Sequence, residues 1–398
     1  MAILAVNAGS SSLKFSVHPR QGRTVLPAML SGNIQGLEPG GQPAMGWRFQ
    51  GADGQRRVET GAGDDVFALA LRDLQQLLGT LQGLPAIEAV AHRVVHGGER
   101  FRTSVLVDEA VLEQLAALNS LAPLHQPHNL AGIRALRRAF AGLPQVACFD
   151  TAFHAGMPEV ASAFALPQEL TAQGVRRYGF HGLSYQYVMS RLLALSERAR
   201  GRVLMAHLGN GASLCAALEG RSQATTMGFS ALDGLMMGTR CGTLDAGVVL
   251  YLLEQGWDHD RLQNLLYKRS GLLGVSGVSA DMRRLRAEPG DAARRAIAQF
   301  TYRVVREAGA LSACIGGLDV LAFSGGIGEH DATLRADVAE GLVYLGVAID
   351  PERNRQATGE ALSPIHAPHS RVEVWVIPTD EGQVAAREAA ALLQEAGA

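Results

Sequence analysis

Two stretches, one in each half of the chain, follow the same plan, and this repetition constrains the fold more than any other feature of the sequence. Residues 3–17 and residues 203–218 each contain an apolar run, a turn of Gly, Asn and Ser residues, and a second apolar run. Short apolar runs bounded by such turns are typical of paired β-strands. One such hairpin is weak evidence, but two at corresponding places in the two halves predict a duplicated domain.

The turn of the first hairpin has the composition of a phosphate-binding loop. Asn7, Ser10 and Ser12 lie in or beside the turn, and Lys14 lies just beyond it. Small residues let backbone N–H and hydroxyl groups approach an anion, and the lysine adds a positive charge. The Walker motif Gly-x-x-x-x-Gly-Lys-Ser/Thr is absent. A solvated hairpin turn has the same composition, but the second hairpin favours a nucleotide phosphate held between the two copies.

The composition is that of a folded protein without a nucleic-acid or membrane partner. The 398 residues suffice for two domains, and 47% hydrophobic against 19% charged residues are typical of a compact chain. The net charge of −2 gives no general attraction to nucleic acid. No apolar run approaches the ~18–20 residues that cross a bilayer, and no targeting segment is apparent. The cysteines are widely spaced and form no Cys-x-x-Cys motif, so we expect a cytoplasmic protein.

Patterns of apolar residues predict strands that alternate with helices, which indicates an α/β fold with ligands bound at strand ends. Outside the hairpins, strands are expected at residues 87–95, 146–149, 318–323 and 372–377. Helices are expected at residues 67–81, from about 109 to 118, at 300–315 and at the C-terminus. Residues 31–57, rich in Gly and polar side chains, are expected to form loops with short strands. The pattern restarts after residue 150, which predicts a domain boundary there.

Two arginines, Arg93 and Arg240, are surrounded in the sequence by apolar residues and glycines. An unpaired charge in such surroundings is costly. The guanidinium group matches the geometry of a carboxylate or a phosphate, so each arginine is expected to contact one. A bound anion and an ion pair with an acidic residue of the protein both meet this requirement.

Histidines, carboxylates and a glycine-rich segment supply further candidates. His181 lies among glycines, and as a neutral or charged donor it would stabilise a transferring phosphoryl group. Asp150 and Glu381 each follow an expected strand, and a Mg²⁺–nucleotide site needs only one or two carboxylates. Residues 325–329, Gly-Gly-Ile-Gly-Glu, are expected to form a loop beside an adenine, although they lack the Rossmann spacing. Zinc binding by His92 and His96 is disfavoured, because both lie on an expected strand.

Taken in order, these motifs resemble those of the acetate kinases, a family of the actin-like and sugar-kinase superfamily. The matching segments are residues 6–14, 92–99, 123–125, 149–154, 178–182, 207–211, 227–229, 238–240 and 326–329. The resemblance implies an α/β fold with a duplicated ribonuclease-H-like (actin-like ATPase) domain and a central nucleotide cleft. The expected domains are residues 1–150 joined by the C-terminal helix 382–398, and residues 151–381. A homodimer is also implied.

The resemblance further implies reversible, direct in-line transfer of the γ-phosphate of ATP to acetate, giving acetyl phosphate and ADP. The implied cofactor is Mg²⁺, for which Mn²⁺ can substitute, held by Asn7 and Glu381. The implied catalytic residues are Arg93, His125, Asp150, His181 and Arg240. The implied acyl pocket consists of Arg93, Val95, Leu124, Phe180 and Ala231. The implied nucleotide contacts are Ser10, Ser12, Lys14, His207, Leu208, Gly209, Asn210, Gly211, Asp281, Met282, Arg283, Gly326, Ile327, Gly328, Glu329 and His330.

Physical chemistry qualifies one of these roles. Asp150 matches the acid/base residue of the family, yet acetate, with a pKa near the ~4.3 of Glu, is already ionised at pH 7. A carboxylate nucleophile needs no general base, so we expect Asp150 to orient an arginine or a metal-bound water. An Asp150→Asn substitution is then expected to slow turnover without removing an acid-side limb from the pH profile.

The sequence departs from the family pattern at several positions. Tyr185 stands where the family has a second histidine, Ala224 stands for an aspartate, and His330 stands for an asparagine. Ala231 stands where the acyl pocket of the family has a proline, which would enlarge the pocket. One methylene is worth ~1–3 kcal/mol of discrimination. We therefore expect propionate to be used better than by family members that have the proline.

Three other functions remain compatible with the motifs. A kinase that prefers propionate or butyrate would use the same chemistry. An actin-like or chaperone-like ATPase would also need paired phosphate-binding hairpins, but it has no use for Arg93, His181 and Arg240 around a small acid. A phosphatase or polyphosphate hydrolase would need a base to activate water, for which Asp150 is the candidate.

Overall fold

The protein has an α/β fold built on two mixed sheets, as the alternation of strands and helices predicted. The structure, a computed structural model, describes residues 1–38, 40–61, 63, 65–123, 125–395 and 397. The chain divides into two units with one sheet each. Unit 1 comprises Met1–Ala152 and Asp380–Ala398, and unit 2 comprises Phe153–Thr379.

The first hairpin lies inside the nine-stranded sheet of unit 1. Its strands are β1 (Ala2–Ala8), β2 (Ser12–Gln21), β3 (Thr24–Val25), β4 (Leu30–Gln35), β5 (Ala44–Phe49), β6 (Ala52–Arg57), β7 (Ile87–Val94), β8 (Val105–Leu106) and β9 (Gln145–Phe149). Their order is β6-β5-β4-β2-β1-β7-β9-β8, and β3 pairs with β2. β1 is antiparallel to β2 and parallel to β7, and β7 is parallel to β9. The continuous apolar run of β1 is explained by burial of nearly all its residues.

Residues 31–57 contain short strands, as the sequence led us to expect. β4, β5 and β6 are antiparallel strands of six residues each. A Cβ atom on Gly32 would lie 2.5 Å from the ring of Phe15, and one on Gly54 would lie 2.3 Å from the ring of Trp47. These glycines are strand residues against which aromatic rings pack.

Three helices of unit 1 are α1 (Val66–Thr80), α2 (Glu109–Ala116) and α3 (Gln126–Ala139). The expected helix at residues 67–81 is confirmed as α1, which begins where the Asp65 side chain accepts a hydrogen bond from the N–H of Ala68. Its buried leucines pack into the core that includes β1, β2 and β4.

Unit 2 has a six-stranded sheet. The strands are β10 (Arg202–Leu208), β11 (Ala212–Leu218), β12 (Arg221–Thr225), β13 (Val320–Ser324), β14 (Ser363–Pro364) and β15 (Glu373–Val376). The helices are α4 (Glu159–Ser162), α5 (Gln168–Ala172), α6 (Gly182–Leu195), α7 (Ala246–Glu254), α8 (His259–Lys268), α9 (Gly271–Ser276), α10 (Met282–Ala287), α11 (Asp291–Cys314), α12 (Gly325–His330), α13 (Ala332–Gly341) and α14 (Pro351–Gln356). The described chain also has 3₁₀ turns at Asn119–Leu121, Ala152–His154, Glu197–Arg200 and Val343–Leu345.

The two sheets share one topology. In unit 1 the order β4-β2-β1-β7-β9 has two antiparallel pairs followed by two parallel pairs. In unit 2 the order β12-β11-β10-β13-β15 has the same directions in the same sequence. The two hairpins, β1–β2 and β10–β11, occupy equivalent places in these sheets. The duplication inferred from the two sequence stretches is therefore present in the fold.

The last helix, α15 (Glu381–Glu395), belongs to unit 1, where it packs on β1, β2 and β7. It brings Glu381 to the sheet that carries Arg93 and Asp150. Within the described ranges, no helix is both long and apolar enough to span a membrane.

Candidate active site

The β1–β2 turn presents the polar residues of the first hairpin. The N–H of Gly9 donates to the carbonyl oxygen of Ser12 over 2.8 Å and closes the turn. Asn7 and Lys14 lie opposite each other in the register of the two strands. Ser10 and Lys14 are exposed, and Ser12 and Asn7 are half-buried. The turn therefore offers hydroxyl groups, an amide and an ammonium group on one tip.

Asn129 on α3 ties this hairpin to the end of β7, and sequence reasoning missed it. Its amide Nδ2 donates to the carbonyl oxygen of Ala8 over 2.7 Å, and its Oδ1 accepts from the N–H of Val95 over 3.0 Å. The side chain is buried. Asn129 thus fixes the backbone next to Asn7 and next to the predicted pocket residue Val95. The sequence gave no signal of this role, because the two backbone groups that bond to the Asn129 side chain are far from it in the chain.

Arg93, at the end of β7, lies in a carboxylate cluster with Asp150 and Glu381. Its Nε and Nη2 donate to the two oxygens of Asp150 over 3.0 and 2.6 Å, a bidentate pair. Its Nε also lies 3.2 Å from Glu381 Oε2 at the start of α15. The Arg93 side chain is 20% exposed and that of Asp150 is 2% exposed. The carboxylate that the sequence required for Arg93 is therefore supplied by the protein itself, while part of the Arg93 side chain stays exposed.

Burial sets the charge properties of this cluster. Removal from water is the largest influence on Asp150 and raises its pKa to about 6, with Arg93 opposing and Glu381 adding to the rise. For Arg93 burial acts to lower the pKa, but the two carboxylates outweigh it and raise the pKa above its ordinary value. The protonated form of Asp150 is therefore favoured up to a higher pH than for an aspartate in water. Burial, which is not visible in the sequence, therefore favours an acid-side limb from Asp150, whereas the sequence led us to expect none; the pH profile decides between the two.

His125, a predicted catalytic residue of unit 1, lies at the start of α3. His125 is the half-buried residue before α3, and its carbonyl oxygen accepts from the N–H of Asn129 over 3.0 Å. Leu124, predicted for the acyl pocket, lies outside the described residues.

In unit 2, His181 has an unusual backbone that its neighbours enforce. It is the residue before α6, with φ of 58°, a left-handed conformation that costs energy for a residue other than glycine. The carbonyl oxygen of the buried Phe180 is held by His154 Nε2 over 3.0 Å. His181 Nδ1 lies 2.8 Å from Ser213 Oγ, and its ring stacks on that of His207 with centroids 4.2 Å apart. The strain is consistent with a side chain aimed at a ligand.

Arg240 differs from Arg93 in having no acidic partner. Its Nη1 donates to the carbonyl oxygen of Ala231 over 2.5 Å, and among the described residues no carboxylate lies within 4.0 Å of its guanidinium. The residue is half-buried, and burial lowers its pKa from the ordinary value. A partly desolvated cation held only by a carbonyl oxygen is suited to binding an anion.

Gly211 lets Arg240 and His181 approach the same point. A Cβ atom on Gly211 would lie 3.0 Å from Arg240 Nη2 and 3.2 Å from His181 Nε2. Both nitrogens therefore converge on the turn of the second hairpin. A side chain in place of this glycine, which is predicted to contact the nucleotide, would crowd both groups.

The structure brings the segments of the predicted nucleotide site in unit 2 together. A Cβ atom on Gly238 would lie 2.0 Å from Asn210 Oδ1 and 3.3 Å from the carbonyl oxygen of Ala280, next to Asp281. A Cβ atom on Gly209 would lie 3.7 Å from the backbone nitrogen of Gly326. Of the other two hairpin residues, Leu208 is buried and His207 is half-buried, its Nδ1 lying 2.8 Å from Ser184 Oγ.

Residues 325–330 form helix α12, which corrects the expectation of a loop. Gly325 has φ of 74°, so the chain turns from β13 directly into the helix, a turn that glycine makes without strain. Gly326 is exposed, Ile327 is half-buried and Gly328 is buried. The pattern of three glycines concealed the helix, because glycine is unfavourable within helices.

Other predicted nucleotide residues have partners within the protein. Asp281 caps α10 and pairs with Arg283 over 2.7 Å, which, with hydrogen bonding from Arg283, lowers the pKa of Asp281 to about 2. Met282 is buried. Glu329 Oε1 accepts from the N–H groups of Gly325 and Thr379, and His330 Nδ1 lies 2.6 Å from the carbonyl oxygen of Thr358, exchanges that hold α12 in place.

The donor set at Asn7 and Glu381 suits a nucleotide-bound Mg²⁺ and not a metal held by the protein alone. It comprises one amide oxygen and one half-buried carboxylate, both on unit 1. Mg²⁺ keeps several waters and takes phosphate oxygens for the rest, so such a set fits it. In the described part of the chain, no group of three His, Cys, Asp or Glu residues is arranged to hold a metal.

Comparison with known proteins places these features in context. The model of the acetokinase family matches residues 2–387. A protein of Rhodopseudomonas palustris named acetate kinase is 50% identical over 394 residues, 97% of this chain and 96% of that protein. Another protein named acetate kinase, from Phocaeicola vulgatus, is 40% identical, and the match covers 99% of this chain and 100% of that protein.

Solved structures resemble the chain over nearly its whole length. A propionate kinase from Francisella tularensis is 36% identical with a TM-score of 0.87, over 97% of this chain and 98% of that one. The acetate kinase of Porphyromonas gingivalis is 34% identical with a TM-score of 0.87, over 98% and 99% of the two chains.

Proposed function

We propose that this chain, which belongs to the acetokinase family, transfers the γ-phosphoryl group of ATP reversibly to a short-chain carboxylate. Its motifs predicted this family, and membership makes the protein an ATP:acetate phosphotransferase. The observation that carries the proposal is Arg240, a half-buried guanidinium without a carboxylate partner among the described residues. It converges with His181 on Gly211. Two nitrogens of this kind at a glycine turn match the needs of a transferring phosphoryl group.

In the proposed reaction, a carboxylate oxygen of the acid attacks the γ-phosphorus in line. The new P–O bond forms as the bond from the γ-phosphorus to the β–γ bridging oxygen breaks, and the electron pair stays on ADP. No proton is transferred, so catalysis consists of positioning and charge stabilisation. Arg240 and His181 would stabilise the equatorial oxygens. Arg93 would hold the carboxylate, with its guanidinium oriented by Asp150.

The other residues would bind the nucleotide and the metal. Ser10, Ser12, Lys14 and the β10–β11 turn would contact phosphates, and residues 281–283 and 326–330 would contact adenosine. Asn7 and Glu381 would hold Mg²⁺, which supplies neutralisation of phosphate charge when bound. The four cysteines are free thiols, which suits the reducing cytoplasm in which we propose that the protein acts.

We propose propionate as a second substrate, because Ala231 replaces the proline of the family's acyl pocket. The main chain of Ala231 also holds Arg240, and proline would retain that carbonyl oxygen. The substitution Ala231→Pro therefore alters the pocket without removing the acceptor. The propionate kinase among the structural relatives is consistent with this extension.

The test is formation of acyl hydroxamate from ATP, Mg²⁺, hydroxylamine and acetate, propionate or butyrate, measured side by side. Hydroxamate from acetate or propionate is the expected result. Ala231→Pro should lower the propionate-to-acetate ratio of kcat/KM about 10-fold, the size of one methylene contact. An unchanged ratio contradicts the pocket assignment, and ATP hydrolysis without any hydroxamate contradicts the kinase.

We propose a homodimer that forms through α7. None of the nine residues of this helix is buried, although all but Glu254 are apolar or glycine. Leu250 and Tyr251 are 61% and 59% exposed. A contiguous exposed apolar surface of this kind is typical of a protein interface, and a second copy of the chain is the partner that the family resemblance implies.

A further inference from the structure

A chain of hydrogen bonds leads from Tyr185 to His181 inside unit 2. Tyr185 Oη lies 2.5 Å from Ser213 Oγ, and Ser213 Oγ lies 2.8 Å from His181 Nδ1. Tyr185 and Ser213 are fully buried.

Helix α6 and strand β11 fix the geometry of this series of hydrogen bonds. His181 precedes α6 and Tyr185 lies one turn along it, joined by the hydrogen bond from the N–H of Tyr185 to the carbonyl oxygen of His181 over 3.0 Å. Ser213 lies on β11, opposite His207 on β10. Both His181 and Tyr185 therefore face one serine on the neighbouring strand.

The direction of the hydrogen bonds follows from the donors and acceptors available. Ser213 has a single proton to donate, and each ring nitrogen of a neutral histidine either donates or accepts. If His181 Nδ1 donated to Ser213, one proton would lack an acceptor: the phenolic proton if the serine donated to Tyr185, or the serine proton if Tyr185 also donated to Ser213. Apart from His181 and Tyr185, no described residue lies within hydrogen-bonding distance of Ser213 Oγ. The backbone amide of His207 faces the phenolic oxygen as a donor and cannot accept. No further acceptor among the described residues lies within hydrogen-bonding distance of Tyr185 Oη.

The opposite direction satisfies every group. Tyr185 donates to Ser213, Ser213 donates to His181 Nδ1, and the phenolic oxygen accepts from the amide of His207. A buried donor left unpaired is penalised, so this direction is favoured. His181 Nδ1 is then an acceptor, and the ring proton lies on Nε2, the nitrogen that converges with Arg240 on Gly211.

The surroundings also disfavour a second proton on His181. Among the described residues, the charged or titratable groups that face the ring include the guanidinium of Arg240, the stacked ring of His207 and, through Ser213, the phenol of Tyr185. Arg240 is already positive, and a protonated His181 would require Nδ1 to donate and the hydrogen-bond chain to reverse. The neutral form avoids both costs.

We infer that Tyr185, acting through Ser213, holds His181 as a neutral imidazole with its proton on Nε2, and that Tyr185 is a positioning residue for phosphoryl transfer. The catalytic part rests on the proposed function, because it requires His181 to donate to the transferring group. The protonation pattern does not depend on that function and is measurable without substrate.

The first test is nitrogen NMR of the full-length protein labelled with ¹⁵N in its histidine rings, at pH 7.5. The signals of His181 are identified by their loss in His181→Gln. We expect an unprotonated Nδ1 and a protonated Nε2 in the unsubstituted protein. In Tyr185→Phe or Ser213→Ala we expect a mixture of tautomers. Tyr302→Phe, the same change at an exposed tyrosine of α11, should leave the His181 signals unchanged.

The second test is the hydroxamate assay. Tyr185→Phe should lower kcat about 10- to 100-fold, as expected for a residue that orients a catalytic group. The KM values for ATP and the acid should stay within about twofold, because the interaction acts on the transition state. Ser213→Ala should likewise lower kcat and leave the KM values nearly unchanged. It is a second variant that interrupts the hydrogen bonds between Tyr185 and His181.

A protonated Nδ1 or a doubly protonated His181 ring in the unsubstituted protein overturns the inference. So does an unchanged kcat in both variants. If the unsubstituted protein forms no hydroxamate from any acid, the proposed function and the catalytic part fall together, and the ring spectrum still decides the tautomer.

Discussion

At the residue scale, the chemistry depends on which charges the fold pairs with each other. One rule, that a cation among apolar residues needs an anion, predicted both Arg93 and Arg240. The structure distinguishes them, because Arg93 has Asp150 and Glu381, whereas Arg240 contacts the carbonyl oxygen of Ala231. Arg93 is therefore oriented before substrate arrives. Arg240 is the stronger candidate for a guanidinium whose anionic partner is supplied by the substrate.

The raised pKa of Asp150 leads to a prediction about pH. Above about pH 6 the carboxylate accepts both hydrogen bonds of Arg93, and below it one oxygen is protonated and no longer accepts. We expect kcat/KM, which reports the free enzyme, to fall on the acid side near pH 6. Asp150→Asn should remove this limb and lower kcat/KM at neutral pH about 10²-fold through misplacement of Arg93.

The matched control is Asp319→Asn, which changes an arginine-paired aspartate of unit 2 that is far more exposed. It should retain the limb and near-normal activity, and a limb that persists in Asp150→Asn would refute the assignment. The stability change has a defined sign. Since folding raises the pKa of Asp150 from 3.8 to about 6, the stability that the protonated group contributes below pH 3.8 is lost as pH rises through 6.

At the element scale, helix α12 owes its position to a residue outside it. Arg335 on α13 is completely buried. Its Nη1 donates to the carbonyl oxygens of Gly328 and Glu329 over 2.9 and 2.8 Å, and its Nε and Nη2 donate to Asn354 and Ala357 at the end of α14. Burial lowers the pKa of Arg335 to about 10, still well above neutral, so the charge is retained. The element predicted to contact adenosine is thus fixed to α13 and α14.

Substitution of Arg335 should destabilise the protein severely. Arg335→Met leaves several buried carbonyl oxygens without a donor, each worth about 1–3 kcal/mol, so we expect a loss of more than about 3 kcal/mol in the free energy of unfolding. Arg355→Met on α14 is the matched control, because its ion pair with Glu352 is exposed and should contribute less than about 1 kcal/mol. Denaturant unfolding measures both, and equal midpoints for the two variants would disprove the role.

At the scale of the whole molecule, the duplicated topology explains why candidate residues cluster at strand ends. In unit 1 they follow β1, β7 and β9, and in unit 2 they follow β10 and β13, which are equivalent strands in the two sheets. Parallel strands bring their carboxyl ends to one edge, where ligands bind. The exposed apolar helix α7 lies outside this scheme, and the proposed association of two chains would account for it.

The dimer prediction is tested by sedimentation. The double substitution Leu250→Glu and Tyr251→Glu places two charges on α7 and should convert the dimer to a monomer, because burying unpaired carboxylates is unfavourable. Val160→Glu, at an apolar residue of unit 2 that is 90% exposed, is the control and should remain dimeric. A monomeric unsubstituted protein, or a dimer that survives the double substitution, would contradict the assignment of α7.

The sequence by itself determined the α/β class, the duplication, most strands and helices, and the residue types of the candidate site. These features depend on local periodicity and on motifs that are contiguous in the chain. It misjudged residues 325–330, because glycine was interpreted as a loop former where it allows the chain to turn directly into a helix. Only the tertiary structure decided the pairing of Arg93, the raised pKa of Asp150, the buried Arg335 and the link from Tyr185 to His181. Each depends on burial or on partners from distant elements, which no local pattern encodes.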